Sequence, residues 1–393
     1  MEPSSYSNQI LHSVKKSLGL EASKPPPAKI IIRTPNWLGD LMMSTAFIRA
    51  VLDTYPRARV DLIVRAGFDS LPLPQRGQII PFDRKRHALG MFGEEFKDKG
   101  YDRFYVLPPS FSSAWMAYHS GIPERIGYSG QMRGWLLHPA KRYAHHPRTT
   151  HLIQEYLALL GESFSMAQYR PNLDMTEAWI ESQLAPFKQT LPERFITVAM
   201  GAIFGPSKQW PVEYYRELVH DICENLKIPV VLLGTPQEHV YGESVRSSHP
   251  LVINWCGKTN MAELVAVLSR SELLISNDSG TMHVMSALRR PQIAIFGSTS
   301  TVWTGPVNPY AEVLHLHLAC SPCFKKKCRF GHYNCLKQIL PHEVFNQVFL
   351  LLQRIEMEHS SELQGLLYPR ADETMAALEH PGVFEAAPGV TKK

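Results

Sequence analysis

The residues able to do chemistry gather where short apolar runs end. In "PNWLGDLMMS", residues 35–44, a carboxylate, Asp40, follows Gly39 at the opening of an expected helix. An acid there is either a cap, favoured by the helix dipole, or a base aimed at a substrate hydroxyl. In "LLISNDSGTMHVMSAL" an apolar strand is expected to end at Ser276 and a helix to begin near Ser279. Strand, polar turn, glycine and helix make an anion site. The N–H groups of Ser279, Gly280 and Thr281 would point outward with the positive end of the dipole, and Gly280 would let a phosphate come close. Asp278 stands at the edge of that site and His283 one turn further on. Capping by Asp278 or Ser279 and a structural His283 account for the same residues without a ligand.

Two more strand ends carry polar groups. "AMGAIFGPSKQWPVEYYREL" runs from a strand ending at Met200, through a glycine-bearing loop, to a helix near Pro211, a good first-turn proline. Lys208 in that loop is a compact positive charge suited to a departing diphosphate, and Gly201 and Gly205 allow a backbone that wraps a ligand. The plain alternative is an exposed loop lysine. In "VVLLGTPQEHVYGE", Glu238 falls in a first helical turn, where it could bind sugar hydroxyls or merely complement the dipole.

Four of the six cysteines, Cys320, Cys323, Cys328 and Cys335, crowd into "CSPCFKKKCRFGHYNC". This C-x2-C-x4-C-x6-C run departs from paired C-x2-C fingers, so structural zinc with four thiolates stands beside reduced or conditionally oxidised thiols. Lys325, Lys326, Lys327 and Arg329 lie inside it, either facing an anionic acceptor or membrane or simply solvated.

These groups need a scaffold, and 393 residues suffice for two domains. Hydrophobic content of 44% and charged content of 20% suit a soluble globular chain, with no stretch near the roughly 18 apolar residues of a membrane span. "MEPSSYSNQILHSVKK" lacks a long apolar core and a cleavage site, so a cytoplasmic protein is expected. The net charge of +5 is scattered rather than massed on one helix, which argues against nucleic acid and leaves acidic substrates or anionic lipid open.

Apolar runs alternate with helical patterns. "KIIIRT", "RVDLIV", "QIIPF" and "DRFYVL" form a first series; "RFITVAM", "IPVVLLG", "PLVINW", "ELLISN" and "PQIAIFG" form a second. The fold class expected is α/β: two Rossmann-like domains whose parallel sheets face a central cleft, with ligands at the carboxyl ends of the strands. The divisions expected are an extension and linker over 1–28, with Ile10, Leu11, Val14 and Leu18 on one helix face, and a first domain over 29–175. A second domain over 190–340 includes the cysteine cluster. A closing helix over 341–357 presents Val344, Val348, Leu351 and Leu352 on one face, and a weakly ordered tail covers 358–393.

Six segments in this order, "TPNWLGDLMMS", "YDRFYVLPPSFSSA", "GIPERIGYSGQMRGWLL", "GAIFGPSKQWP", "NDSGTMHV" and the "CSPCF…GHYNC" pair, resemble the lipopolysaccharide heptosyltransferases of glycosyltransferase family 9, and among them the heptosyltransferase II branch. The resemblance spans about 29–355. It implies a GT-B fold and transfer of L-glycero-D-manno-heptose from ADP-heptose to the first heptose of the lipid A and Kdo inner core, with inversion. It further implies Asp40 as base, Lys208 and Glu238 on the donor, and Asp278, Gly280 and His283 in the donor site. The partners implied are ADP-heptose and a lipid-linked acceptor met at the cytoplasmic face of the inner membrane by a monomer. No cofactor is required, Mg²⁺ being at most a stimulant. Two places depart from the family pattern: Ile203 replaces an acid of the donor loop, and Pro109 and Ser112 stand where an Asn and a basic residue are common. Against this stand another GT-B transferase or a sugar-nucleotide epimerase, and a zinc-stabilised binding protein without catalysis.

Overall fold

The structure, a computed structural model, describes residues 25–143, 148–247 and 249–360, the last three as backbone only. The helix expected within 1–23 and the tail past Ser360 lie outside these residues.

The first series runs β1 (Lys29–Arg33), α1 (Leu38–Thr54), β2 (Arg59–Arg65), β3 (Ile79–Phe82), α2 (Leu89–Glu94), β4 (Arg103–Val106), α3 (Phe111–His119), β5 (Glu124–Tyr128), β6 (Ala140–Lys141) and α4 (Leu152–Leu157). A connecting helix, α5 (Glu177–Leu184), leads to β7 (Ile196–Ala199), α6 (Val212–Asp221), β8 (Val230–Leu233), α7 (His239–Arg246), β9 (Val252–Asn254), α8 (Met261–Arg270), β10 (Leu273–Asn277), α9 (Gly280–Ala287), β11 (Gln292–Phe296), α10 (Thr301–Thr304), β12 (Ala311–His315), α11 (Asn334–Lys337) and α12 (Pro341–Ser360).

Each series makes one parallel six-stranded sheet, in the orders β3-β2-β1-β4-β5-β6 and β12-β11-β10-β7-β8-β9. Counted within its own half, each reads 3-2-1-4-5-6, the doubly wound order, so the chain folds the same plan twice. Central strands are apolar on both faces because helices cover both: Ile30, Ile31 and Ile32 of β1 and Ile293, Ala294 and Ile295 of β11 are fully buried. Three strands without continuous apolar runs, β5, β6 and β12, escaped the sequence reading. β6 and β12 are sheet edges and β5 neighbours one, so none needs the uniformly apolar pattern of a central strand. The closing helix α12 packs Val344, Val348, Leu351 and Leu352 into the second half's core, as its spacing predicts.

The halves are not merely tethered. One apolar cluster passes from β1, β2 and α1 through α4 into α8 and α9. At its cleft end the amino termini of α1 and α9 touch, each through a glycine. A Cβ on Gly39 would lie 2.6 Å from Cδ2 of His283, and one on Gly280 would lie 2.9 Å from Cβ of Leu38. Real Cβ atoms do not approach so closely, so glycine at both positions is the condition for the contact. We expect Gly39→Ala to cost roughly 1–3 kcal/mol in urea unfolding, the usual scale of overpacking. Combined with His283→Ala, which removes the opposing ring, the loss should be smaller than the sum of the two single losses. Strict additivity would mean that the two helices do not meet there.

Candidate active site

In a doubly wound sheet the crevice opens where strand order reverses, between strands one and four of the series. Here those points lie between β1 and β4 in one half and between β7 and β10 in the other. The loop after β1 leads to Asp40, the loop after β7 carries Lys208, and the turn after β10 holds Asp278 and Ser279. The three most informative sequence segments therefore converge by topology.

Asp40 is the third residue of α1. The helix is capped by the backbone of Trp37 with no side-chain bond, so the carboxylate is not consumed as a cap. Gly39 has no left-handed φ; its role is the close approach to His283. Burial, the largest influence, pushes the Asp40 carboxyl up to about 6; the Lys208 charge lowers it and the Asp278 charge raises it. Charges from the second half thus act on an acid of the first. The carboxyl is more basic than a dipole-stabilised acid would be, yet largely ionised at neutral pH.

Lys208 Nζ lies 2.5 Å from Oδ2 of Asp278, which also accepts the Thr299 hydroxyl at 2.5 Å. Asp278 is almost fully buried and holds the lysine in place. It is neither free in a pocket nor the cap of α9. The cap residue is Ser279, whose side chain makes no capping bond and instead shares a proton with the Thr281 hydroxyl at 2.8 Å. The first N–H groups of α9 therefore lack a side-chain partner from the cap, and Ser279, Gly280 and Thr281 are partly exposed. Gly280 is required by Leu38 as well as by any close ligand.

His283 is buried beside this turn. Desolvation lowers its pKa to about 4, so the ring is neutral at neutral pH. Glu238 completes a capping box: Oε2 accepts the Thr235 N–H at 2.7 Å, and Oε1 lies where a Cβ on Gly201 would fall. It borders a cavity of about 270 Å³ shared with Met200, Trp210, Tyr241 and Tyr333. One oxygen of Glu238 serves as cap, and the carboxylate stands at a cavity wall.

Several supports had no sequence signal. Buried Asn277 accepts from Trp210 N–H (3.0 Å) and Tyr215 OH (2.9 Å) and donates to the Met200 carbonyl (2.6 Å), tying β10 to the lysine loop. His151 caps α4 through Nδ1, and its Nε2 reaches the Gly305 carbonyl across the halves at 3.0 Å. Burial holds that ring neutral, its pKa near 4. Strand-end position could have flagged Asn277; nothing short of the fold could have paired His151 with Gly305.

The cysteine loop is tied to this site through its backbone. Among the described residues no three His, Cys, Asp or Glu side chains converge as ligands. The four cysteines are free thiols: Cys335 is buried in α11, where burial and the neighbouring sulfurs push it up to about 11, and the other three are partly exposed. The loop is fixed instead by its backbone. The Lys326 carbonyl takes the Ser207 N–H at 3.3 Å, the Lys325 carbonyl takes the Ser207 hydroxyl, and Phe324 N–H donates to the Ser298 carbonyl at 2.7 Å. Gly205, with φ of 141°, sits where a Cβ would strike the Lys326 carbonyl at 2.8 Å. The basic loop is a clasp on the turn that carries Lys208.

Comparison with known proteins agrees with this layout. Residues 89–334 match the family described as glycosyltransferase family 9 (heptosyltransferase). The chain is 30% identical over 348 residues to lipopolysaccharide heptosyltransferase 2 of Escherichia coli strain K12, covering 84% of this chain and 99% of that one. It is 30% identical over 344 residues to the Salmonella typhimurium protein of the same name, covering 82% and 98%. The solved structure of E. coli ADP-heptose lps heptosyltransferase II superposes with a TM-score of 0.73 at 28% identity, over 84% of this chain and 99% of that one. With two doubly wound halves, a cleft at their switch points and these relatives, the chain belongs to glycosyltransferase family 9, the heptosyltransferases, and has the GT-B fold.

Proposed function

We propose that the protein transfers L-glycero-D-manno-heptose from ADP-heptose to the first heptose of the lipid A and Kdo inner core of lipopolysaccharide, with inversion at the anomeric carbon. One observation carries this reading: an elevated, unconsumed carboxylate at the switch point of one half lies within the field of an oriented lysine at the switch point of the other. The names of these relatives supply the sugar, the nucleotide and the lipopolysaccharide.

In the proposed step Asp40 takes the acceptor hydroxyl proton as that oxygen attacks the anomeric carbon, and the bond to the diphosphate oxygen breaks with its electrons going to ADP. A single displacement inverts the centre. Lys208 and the amides of Ser279, Gly280 and Thr281 meet the charge developing on ADP, and Glu238 meets the ribose hydroxyls. This field does for the leaving group what Mg²⁺ does in other transferases. Neutral His283 fills the space under Gly39, and Asp278 acts through Lys208 rather than on the donor. Among the described residues no helix is long and apolar enough to cross a membrane. In this reading a lipid-linked acceptor is met at the cytoplasmic face of the membrane.

Incubation with ADP-heptose and a lipid-linked core acceptor should give, by mass spectrometry, one added heptose and free ADP; hydrolysis alone, or transfer from a different nucleotide sugar, overturns the reading. Asp40→Asn should retain ADP affinity and lose about 10²-fold or more in turnover, and near-normal turnover would remove Asp40 as base. The kcat/KM profile should fall as pH drops through about 6, because the base must be ionised, and Lys208→Met should move that limb to higher pH. The same titration has a stability sign. With the folded pKa near 6 and the ordinary value at 3.8, ionised Asp40 opposes folding above both values and has no effect below both. Asp40→Asn should therefore melt higher than wild type at about pH 8 and lose that advantage at about pH 4.

A further inference from the structure

Helix α3 starts at the cleft end of the first sheet, directly after the loop that follows β4. Its inner face, Ala114, Met116 and Ala117, is buried, and a soluble helix would normally turn charge outward. This one exposes Phe111 and Tyr118, at i and i+7, with half-buried Trp115 at i+4 joining them to the core beneath. Phe111 and Trp115 stack at 6.0 Å, Trp115 and Tyr118 at 6.2 Å, and Tyr118 meets Trp135 edge-on at 5.8 Å. The strip is open: Trp135 is 63% exposed, Met132 on the same loop 88%, and Met91 on α2, one residue from the Gly90 that abuts Trp115, 70%. Large apolar side chains exposed together rather than singly mark a surface that is covered in use.

The turn ahead of α2 exposes Arg84, Lys85 and Arg86 at the cleft end, with Arg86 paired to Asp83 at 3.5 Å and Arg84 and Lys85 in excess, whereas the acids Glu94 and Glu95 stand at the opposite end of that helix. Of these acids Glu94 is already engaged by Lys97 and His119. Arg125 lies over the Tyr118 ring at 5.7 Å, adding a cation among the aromatics. Tryptophan and tyrosine with flanking lysine and arginine is the composition that settles at the boundary between lipid headgroups and acyl chains. Each basic residue near the surface adds attraction toward anionic lipid.

We infer that the α2–α3 flank of the first half, with its aromatic strip and the Arg84–Arg86 turn, is a docking face for an anionic phospholipid bilayer. The face adjoins the half in which Asp40 stands, so docking would present the acceptor side of the cleft to molecules embedded in that bilayer. The inference rests on the proposed lipid-linked acceptor for its purpose, but vesicle binding tests it without any transfer chemistry.

The experiment is co-sedimentation of the full chain with vesicles of phosphatidylethanolamine and phosphatidylglycerol, and separately with phosphatidylcholine alone. Binding to the anionic vesicles is expected, weakening with salt and poor on phosphatidylcholine. Met132→Ser with Trp135→Ser, and separately Arg84→Glu with Arg86→Glu, should each weaken it by about tenfold or more. All four side chains are exposed, so melting temperature and ADP affinity should be kept; kept ADP affinity together with lost vesicle binding separates this inference from the transfer reading. Equal binding to both vesicle types, or binding untouched by either pair of substitutions, overturns it. So does a dimer in sedimentation velocity that Met132→Ser with Trp135→Ser dissolves, because the strip would then be covered by a second copy.

Discussion

Everything in the cleft depends on how closely two helix ends approach. The amino terminus of α1 brings Leu38 and Gly39, that of α9 brings Gly280 and His283, and each glycine receives the other helix's side chain. With a methyl group at either position the ends would have to part, and the acid on α1 would move away from the lysine and aspartate of the other half. The contact also places two positive dipole ends side by side, an arrangement that favours an anion between them. Both glycines serve the seam, and through it the chemistry.

A second dependence runs through the clasped loop. Lys208 is held by Asp278, Asp278 by Thr299, and the turn bearing Lys208 by the carbonyls of Lys325 and Lys326. These partners come from three segments far apart in the chain and close only after the second sheet has formed. The lysine is therefore pre-set by finished tertiary structure, which is how a flexible four-carbon side chain becomes a fixed point charge.

What could be read from sequence followed the physics of each feature. Central strands are apolar on both faces, so Ile30–Ile32 and Leu273–Ile275 announced themselves, and the Gly and Ser after β10 announced the strand-to-helix turn that opens α9. Edge strands such as β6 and β12 need no such pattern and passed unseen. Gly39 was legible as a glycine but not as a contact, because its partner lies more than two hundred residues away and no local rule links them. The cysteine spacing suggested an ion, whereas the loop is held by backbone hydrogen bonds that leave no trace in residue identity. The neutral rings of His151 and His283 likewise follow from burial, which only the assembled halves create.

The Lys208–Asp278 pair has one more consequence. With its cation already matched by a carboxylate 2.5 Å away, the pair itself is nearly neutral when viewed from a distance. Such a site exerts little long-range pull on the crowd of small phosphates and carboxylates in solution. Under the proposed function, selectivity is exercised at contact, where an anion must offer the lysine and the α9 amides a better geometry than Asp278 alone provides, so that shape rather than distant charge does the choosing.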